Sequence, residues 1–136
     1  MINSTENDIK TKLEGNRQFF DTHKTKGLDF RIESLRKLKA AILKHEMEIS
    51  EALWQDLHKS EEEAYLTEIS IVLGEIDYHL KNLRCWTKPK RVSMPLKLFP
   101  SAGKIHYEPM GVVLIMAPWN YPMHLLLNPL VGAISA

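Results

Sequence analysis

The sequence has a single cysteine, Cys85, in 136 residues. One thiol excludes an internal disulfide framework and a cysteine-based zinc cluster. Excess charge of either sign is also missing: 18 Lys and Arg stand against 17 Asp and Glu, for a formal net charge of +1. Such a balance gives no electrostatic reason to expect nucleic acid or an acidic membrane as the main partner. Long apolar runs are absent too. The longest, Val112–Trp119, is far short of the roughly 20 residues that cross a bilayer as a helix. The stretch Met1–Lys12 is polar and carries both signs of charge, unlike a signal or transit peptide. The expected setting is therefore reducing and cytoplasmic, with no membrane and no nucleic-acid partner. The length suits one domain with a real core and hardly two.

What is present divides in two. From Val92 onward only Lys97, Lys104 and Glu108 are charged, and six of the seven prolines lie there, with Pro89 just ahead. The earlier part reads as surface-rich helix, the later part as strands, turns and buried core. No internal repeat or low-complexity tract is visible.

Four helices are expected before Pro89. The first runs roughly over Thr5–Thr22, with Ser4 as cap and Ile9, Leu13, Phe19 and Phe20 as its apolar face. Asp29 is expected to cap a second, with Ile32, Leu35, Leu38 and Ile42 at helical spacing. A third carries Ile49, Leu53 and Leu57 on one side. Ser60, with Glu63 three positions on, is a capping-box pattern opening a long helix to about Trp86. Along it Leu66, Ile69, Leu73, Ile76, Leu80 and Leu83 form one seam, the pattern of a helix packed lengthwise on a partner. Pro89 stops it.

Beyond Pro89, Leu96 and Leu98, then Ile105 and Tyr107, alternate around Pro100–Gly103 and predict a hairpin or a pair of edge strands. Val112–Met116 is apolar at every position, as in a parallel strand covered on both faces. Pro118–Pro122 is a turn, and Pro122 suits the first position of a helix. That helix is expected to bury Leu126, Leu127, Leu130, Val131 and Ile134. A buried strand with its crossover helix needs a second parallel strand to pair with. The sequence holds none, so it reads as the N-terminal piece of a larger α/β protein.

The Pro118–Pro122 turn is the best place for chemistry, because open α/β sheets bind ligands beyond the carboxyl ends of their strands. Asn120 lies there, just before a helix N-terminus. Its side-chain NH₂ is a neutral donor, and the helix end adds partial positive charge. Together they could stabilise an oxyanion developing on a carbonyl oxygen. From local pattern alone the more economical reading is an Asn that caps the helix or supports the turn.

The run Glu108-Pro-Met-Gly-Val-Val-Leu-Ile-Met-Ala-Pro-Trp-Asn-Tyr-Pro122 resembles the E-P-x-G-V-v-x-x-i-x-P-W-N-[YF]-P segment of the aldehyde dehydrogenase superfamily. Leu130–Ala136 resembles that family's next helix. Phe30-Arg31-Ile32, Asp56–Ser60 and Glu75–Trp86 resemble its class 3-like branch. The resemblance implies an α/β architecture: a helical segment over 1–88 packing on the cofactor domain, a hairpin or oligomerisation element over 89–110, and over 111–136 the first strand–helix unit of a Rossmann-like cofactor-binding domain. It implies NAD or NADP as cofactor, a small-molecule aliphatic or aromatic aldehyde as substrate, and a homodimer at full length. In that family a cysteine thiolate attacks the aldehyde, the adduct gives hydride to the cofactor, and a Glu activates the water that releases the acid. By resemblance Asn120 stabilises the tetrahedral oxyanion. Trp119 and the backbone of Met116, Ala117 and Pro118 line the cofactor cleft, and Tyr121 forms part of the substrate passage. The nucleophile and the general base of the family fall beyond Ala136.

Other candidates read as structural. Cys85 matches no nucleophile motif and is expected to pack as a small apolar residue. The six histidines show no H-x-x-x-H pair and no carboxylate companion at ligand spacing, so no metal is expected. Gly103-Lys104 lacks the glycine spacing of a phosphate loop. Glu61-Glu62-Glu63 suits an acidic first helical turn. Two alternatives stand beside the dehydrogenase. One is an acyl-CoA reductase or acylating dehydrogenase of the same superfamily. The other is a non-catalytic helical module that assembles with a partner chain.

Overall fold

The computed structural model describes residues 4–136. Helix α1 (Glu6–Asp21) opens with a reciprocal capping box: Asp8 N–H donates to Thr5 Oγ1 at 3.2 Å and Thr5 N–H to Asp8 Oδ2 at 3.0 Å. The cap is thus Thr5 and not the expected Ser4, because Asp8, three residues after Thr5, returns a bond to the Thr5 N–H. Its expected apolar face is largely uncovered: Ile9, Leu13 and Phe19 are exposed and no residue of α1 is buried.

Helix α2 (Leu28–Lys44) starts two residues earlier than Asp29 would allow as a cap. Gly27 holds the cap position without a side-chain bond, and Asp29 lies in the first turn. Ile32, Leu35 and Ile42 are buried as expected, with Leu38 packed beside them. Helix α3 (Glu46–Leu57) buries Leu53. It ends at His58, whose φ of 54° turns the chain sharply; the left-handed region costs energy for a residue with a Cβ.

The long helix is one rod with a fault in it. Helix α4 (Glu61–Ala64) is capped by Ser60 Oγ, which accepts from Glu63 N–H at 3.2 Å. A π-turn over Tyr65–Ile69 follows, and α5 (Ser70–Trp86) continues from it. The extra residue in the π-turn rotates the rod beyond it relative to α4. The expected seam therefore holds only in part. Ile69, Ile76 and Leu83 are buried, and Leu73 and Leu80 pack against the core, but Leu66 is 65% exposed. Ala64, Glu68 and Val72 are buried in its place.

Strands β1 (Lys90–Val92) and β2 (Gly103–Ile105) pair antiparallel, with Lys90 opposite Ile105 and Val92 opposite Gly103. The hairpin exists, but its first arm precedes the predicted one: Leu96–Leu98 forms a tight 3₁₀ turn after Pro95, inside the connection. Pro95 supplies no N–H to a ladder, which favours the turn. A Cβ at Gly103 would lie 2.5 Å from Met94 Sδ and 2.8 Å from Val92 Cγ2, so those side chains would have to shift to admit any other residue.

Val112–Met116 corrects the reading as a covered parallel strand. The segment has no ladder partner among the described residues and is mostly exposed, with Leu114 at 81% and Met116 at 84%. A strand needs a neighbour to satisfy its N–H and C=O groups, and no segment pairs with this one among the described residues. Helix α6 (Pro122–Ser135) begins at Pro122 as expected. It buries Val131 and packs Leu127 and Ile134 on the core formed with α2 and α5, while Leu126 stays exposed. The result is mainly helical, with one small antiparallel sheet.

Candidate functional site

The turn at Pro118–Pro122 is held by residues distant in sequence. His58 redirects the chain at the end of α3, and Lys59 follows in the short link to α4. Its side chain is 8% exposed, and Nζ donates to Glu68 Oε1 at 2.6 Å and to the Asn120 carbonyl oxygen at 3.0 Å. The same ammonium lies 3.9 Å from the centroid of the Tyr121 ring, a cation–π contact in a nearly dry setting.

Glu68 is fully buried and is carried by the π-turn. Its second oxygen, Oε2, accepts from the backbone N–H groups of Met123 at 2.8 Å and His124 at 3.3 Å. These are amides of the first turn of α6, which has no side-chain cap of its own. A helix N-terminus leaves N–H groups unpaired and carries partial positive charge. Glu68 answers both from another helix.

Asn120 is exposed, and its side-chain amide makes no hydrogen bond among the described residues. Tyr121 is the residue at the cap position of α6, with φ −136° and ψ 68°. Asn120 therefore neither caps the helix nor braces the turn through its side chain, and its two N–H donors are open. Trp119 is 84% exposed, Ala117 and Pro118 are exposed with Met116, and Tyr121 is partly covered by Lys59. The predicted residues thus share one exposed apolar ridge at the N-terminus of α6.

The start of the same motif is anchored separately. Lys26 Nζ donates to Glu108 Oε2 at 2.9 Å. The hydrogen bond from Lys26, and then its charge, hold the Glu108 carboxyl below the usual carboxylate range. Gly111 takes φ +107°, where only glycine is unstrained, and it turns the chain from Pro109 into the Val112 segment.

A protein-family comparison decides what this motif is. The aldehyde dehydrogenase family model matches residues 1–136. The chain belongs to the aldehyde dehydrogenase family. Within the family it is similar to 4,4'-diaponeurosporen-aldehyde dehydrogenase of Staphylococcus aureus (strain NCTC 8325 / PS 47), 49% identical over 130 residues, which cover 96% of this chain and 28% of that protein. It is 42% identical over 128 residues to the dimeric NADP-preferring aldehyde dehydrogenase of Canis lupus familiaris, covering 94% of this chain and 28% of that protein. Among solved structures, the substrate-bound state of Staphylococcus aureus AldH superposes with a TM-score of 0.92 at 47% identity, over 98% of this chain and 28% of that one. The chain thus spans 28% of the length of these relatives.

Two side chains of the site escaped the sequence reading. Lys59 sits in the Asp56–Ser60 stretch, where no local pattern gives it a role. Glu68 was hidden beside the apolar seam. The signal was there: Ala64, Glu68, Val72 and Ile76 stand four apart, and a carboxylate in an otherwise apolar row must find a partner or stay out of the core. Cys85 corrects the other way. It is exposed, because two positions after the buried Leu83 a helix points its side chain to the opposite face. Carboxylate companions do exist for two histidines: His45 Nδ1 lies 2.9 Å from Glu48 Oε2, and His79 Nε2 lies 3.0 Å from Glu75 Oε1. Each is a pair within one helix or at its cap, and no group of three such ligands is found among the described residues.

Proposed function

We propose that this chain forms the N-terminal part of an NAD- or NADP-dependent enzyme that oxidises aliphatic or aromatic aldehydes to acids through a cysteine thiohemiacetal, and that Asn120 supplies a donor to the oxyanion. The observation that carries the reading is the unengaged Asn120 amide on an exposed ridge whose backbone is clamped. A free neutral donor on a held backbone, beside a helix N-terminus, suits an oxygen that gains charge during reaction. The family match supports the reaction class.

The cofactor's fit can be judged on the same ridge. Met116–Trp119 offers apolar and aromatic surface with no acidic side chain, and its backbone makes no hydrogen bond among the described residues. Such a strip accommodates the flat faces of a nicotinamide nucleotide and leaves N–H and C=O groups for its polar edges. When bound, NAD or NADP would supply the hydride acceptor. The name of the canine relative makes NADP a specific candidate. Met116, Ala117, Pro118 and Trp119 would hold it, Tyr121 would border the aldehyde passage, and Asn120 would orient its NH₂ on the carbonyl oxygen.

In the same reading, residues 1–88 pack on the cofactor domain, 89–110 form an oligomerisation element in a homodimer, and 111–136 open the Rossmann-like domain. The setting is cytoplasmic. The test compares two preparations. The full-length protein should form reduced nicotinamide cofactor on addition of aldehyde, whereas the purified 136-residue chain should not, because an amide supplies neither nucleophile nor base. Turnover by the short chain that Cys85→Ala abolishes would refute this assignment.

A further inference from the structure

The buried pair Lys59–Glu68 holds the Asn120 turn through three backbone groups, one before Tyr121–Pro122 and two after, and never through the Asn120 side chain. Lys59 Nζ takes the carbonyl oxygen of Asn120 itself, 61 residues away in sequence, at 3.0 Å. Glu68 Oε2 takes the N–H groups of Met123 and His124 at 2.8 and 3.3 Å. Only Tyr121 and Pro122 lie between the two grips. Pro122 has its φ fixed by the ring, and the Tyr121 ring lies against the Lys59 ammonium at 3.9 Å. The backbone that carries Asn120 is therefore left with little torsional freedom.

This is an expensive way to cap a helix. A local Ser, Thr or Asp before Pro122 would satisfy the amides without burying charge. Here instead a carboxylate and an ammonium are both taken out of water, which costs desolvation energy and returns defined geometry. The π-turn over Tyr65–Ile69 is part of the same device, because the turn carries Glu68 while α4 and α5 run on either side of it.

We propose that Lys59 and Glu68 are positioning residues for the Asn120 amide: the pair clamps the turn from both sides and fixes the backbone from which the amide projects. The proposal rests on the reading of Asn120 as the oxyanion donor. The clamp engages the backbone and the Tyr121 ring but not the Asn120 side chain, so it leaves both N–H donors of that side chain free for substrate. A shift of the turn by a fraction of its hydrogen-bond length would leave aldehyde binding largely intact and misplace the donor in the transition state, which lowers kcat more than it raises KM.

The experiment is a double-mutant cycle in the full-length protein: Lys59→Met and Glu68→Gln, each alone and in the Asn120→Ala background. Alone, each should lower kcat on the order of tenfold to a hundredfold, with KM for the aldehyde moved by less than about threefold. In the Asn120→Ala background the same substitutions should lower kcat by less than about twofold, since no donor is left to misplace. Lys59→Arg, which keeps a cation with donors, should recover most of the loss. Should Lys59→Met fail to fold, Glu68→Gln carries the comparison, because it keeps an acceptor for the α6 amides. Equal losses in both backgrounds, with Asn120→Ala itself severely impaired, would overturn the positioning role alone. Near-normal kcat for Asn120→Ala would overturn the oxyanion reading and the proposal with it.

Discussion

Replacing Glu68 by alanine should be among the most damaging single substitutions in this chain, and it should cost more than Lys59→Met. The difference follows from what each leaves behind. Without Glu68, the Lys59 ammonium stays buried with only the Asn120 carbonyl and the Tyr121 face, and the N–H groups of Met123 and His124 lose their acceptor. Breaking a buried pair from one side typically costs about 3–5 kcal/mol. Without Lys59, the Glu68 carboxylate keeps both amides and the positive end of α6, an arrangement that offsets up to about 2 kcal/mol in partly buried geometry. Lys59→Met should therefore cost about 1–3 kcal/mol. The double variant Lys59→Met/Glu68→Gln removes both charges and keeps an acceptor for α6, so it should be more stable than Glu68→Ala. The assay is urea unfolding of the full-length protein and its variants, followed by the far-ultraviolet signal, with midpoints compared at unchanged slope. If Lys59→Met proved at least as costly as Glu68→Ala, the carboxylate would not be the anchor of α6 and the assignment of the cap would be wrong.

Other outcomes are expected elsewhere. Leu35→Ala, at a fully buried position of α2, should lower stability by about 2–5 kcal/mol, while Leu66→Ala on the exposed side of the π-turn should change it by no more than about 0.5 kcal/mol; equal costs would refute the rotated seam. The Glu108 carboxyl, held below its ordinary pKa by Lys26, adds stability above that ordinary value and loses it as pH falls through the lowered one. Carbon-detected NMR should show the Glu108 pKa rising to its usual value in Lys26→Met, and no change would mean that the contact does not persist in solution.

The helices were largely legible because their apolar residues recur at helical spacing and their ends carry caps or prolines. Ile32, Leu35 and Ile42 fell where the period puts them, and Pro122 opened its helix. Errors arose where a choice depends on something remote. Thr5 displaced Ser4 as cap because Asp8 fits one register only. Leu66 left the seam because a π-turn adds a residue to the period, which a heptad count cannot register. Val112–Met116 has the composition of a covered strand, but a strand is a relation between two segments, and no segment pairs with it among the described residues. The site was half legible. The proline-rich motif marked the ridge and Asn120, whereas the clamp joins residues 55 to 61 positions apart, beyond the reach of local pattern. Glu68 in an apolar row was the one local clue to it.

Whether the open Asn120 amide acts on developing charge is tested directly by one kinetic comparison. In the full-length protein kcat is measured for Asn120→Ala and Asn120→Asp beside their melting temperatures. Loss of one oxyanion donor typically costs on the order of 3 kcal/mol in the transition state, or roughly two to three powers of ten in rate. Asn120→Ala should show that loss in kcat with little change in KM. Asn120→Asp should be at least as impaired, because a carboxylate would face the oxyanion. Both should melt near the parent, since the side chain makes no hydrogen bond within the chain. Near-normal kcat with a clearly lowered melting temperature would make Asn120 a structural residue and contradict the central claim.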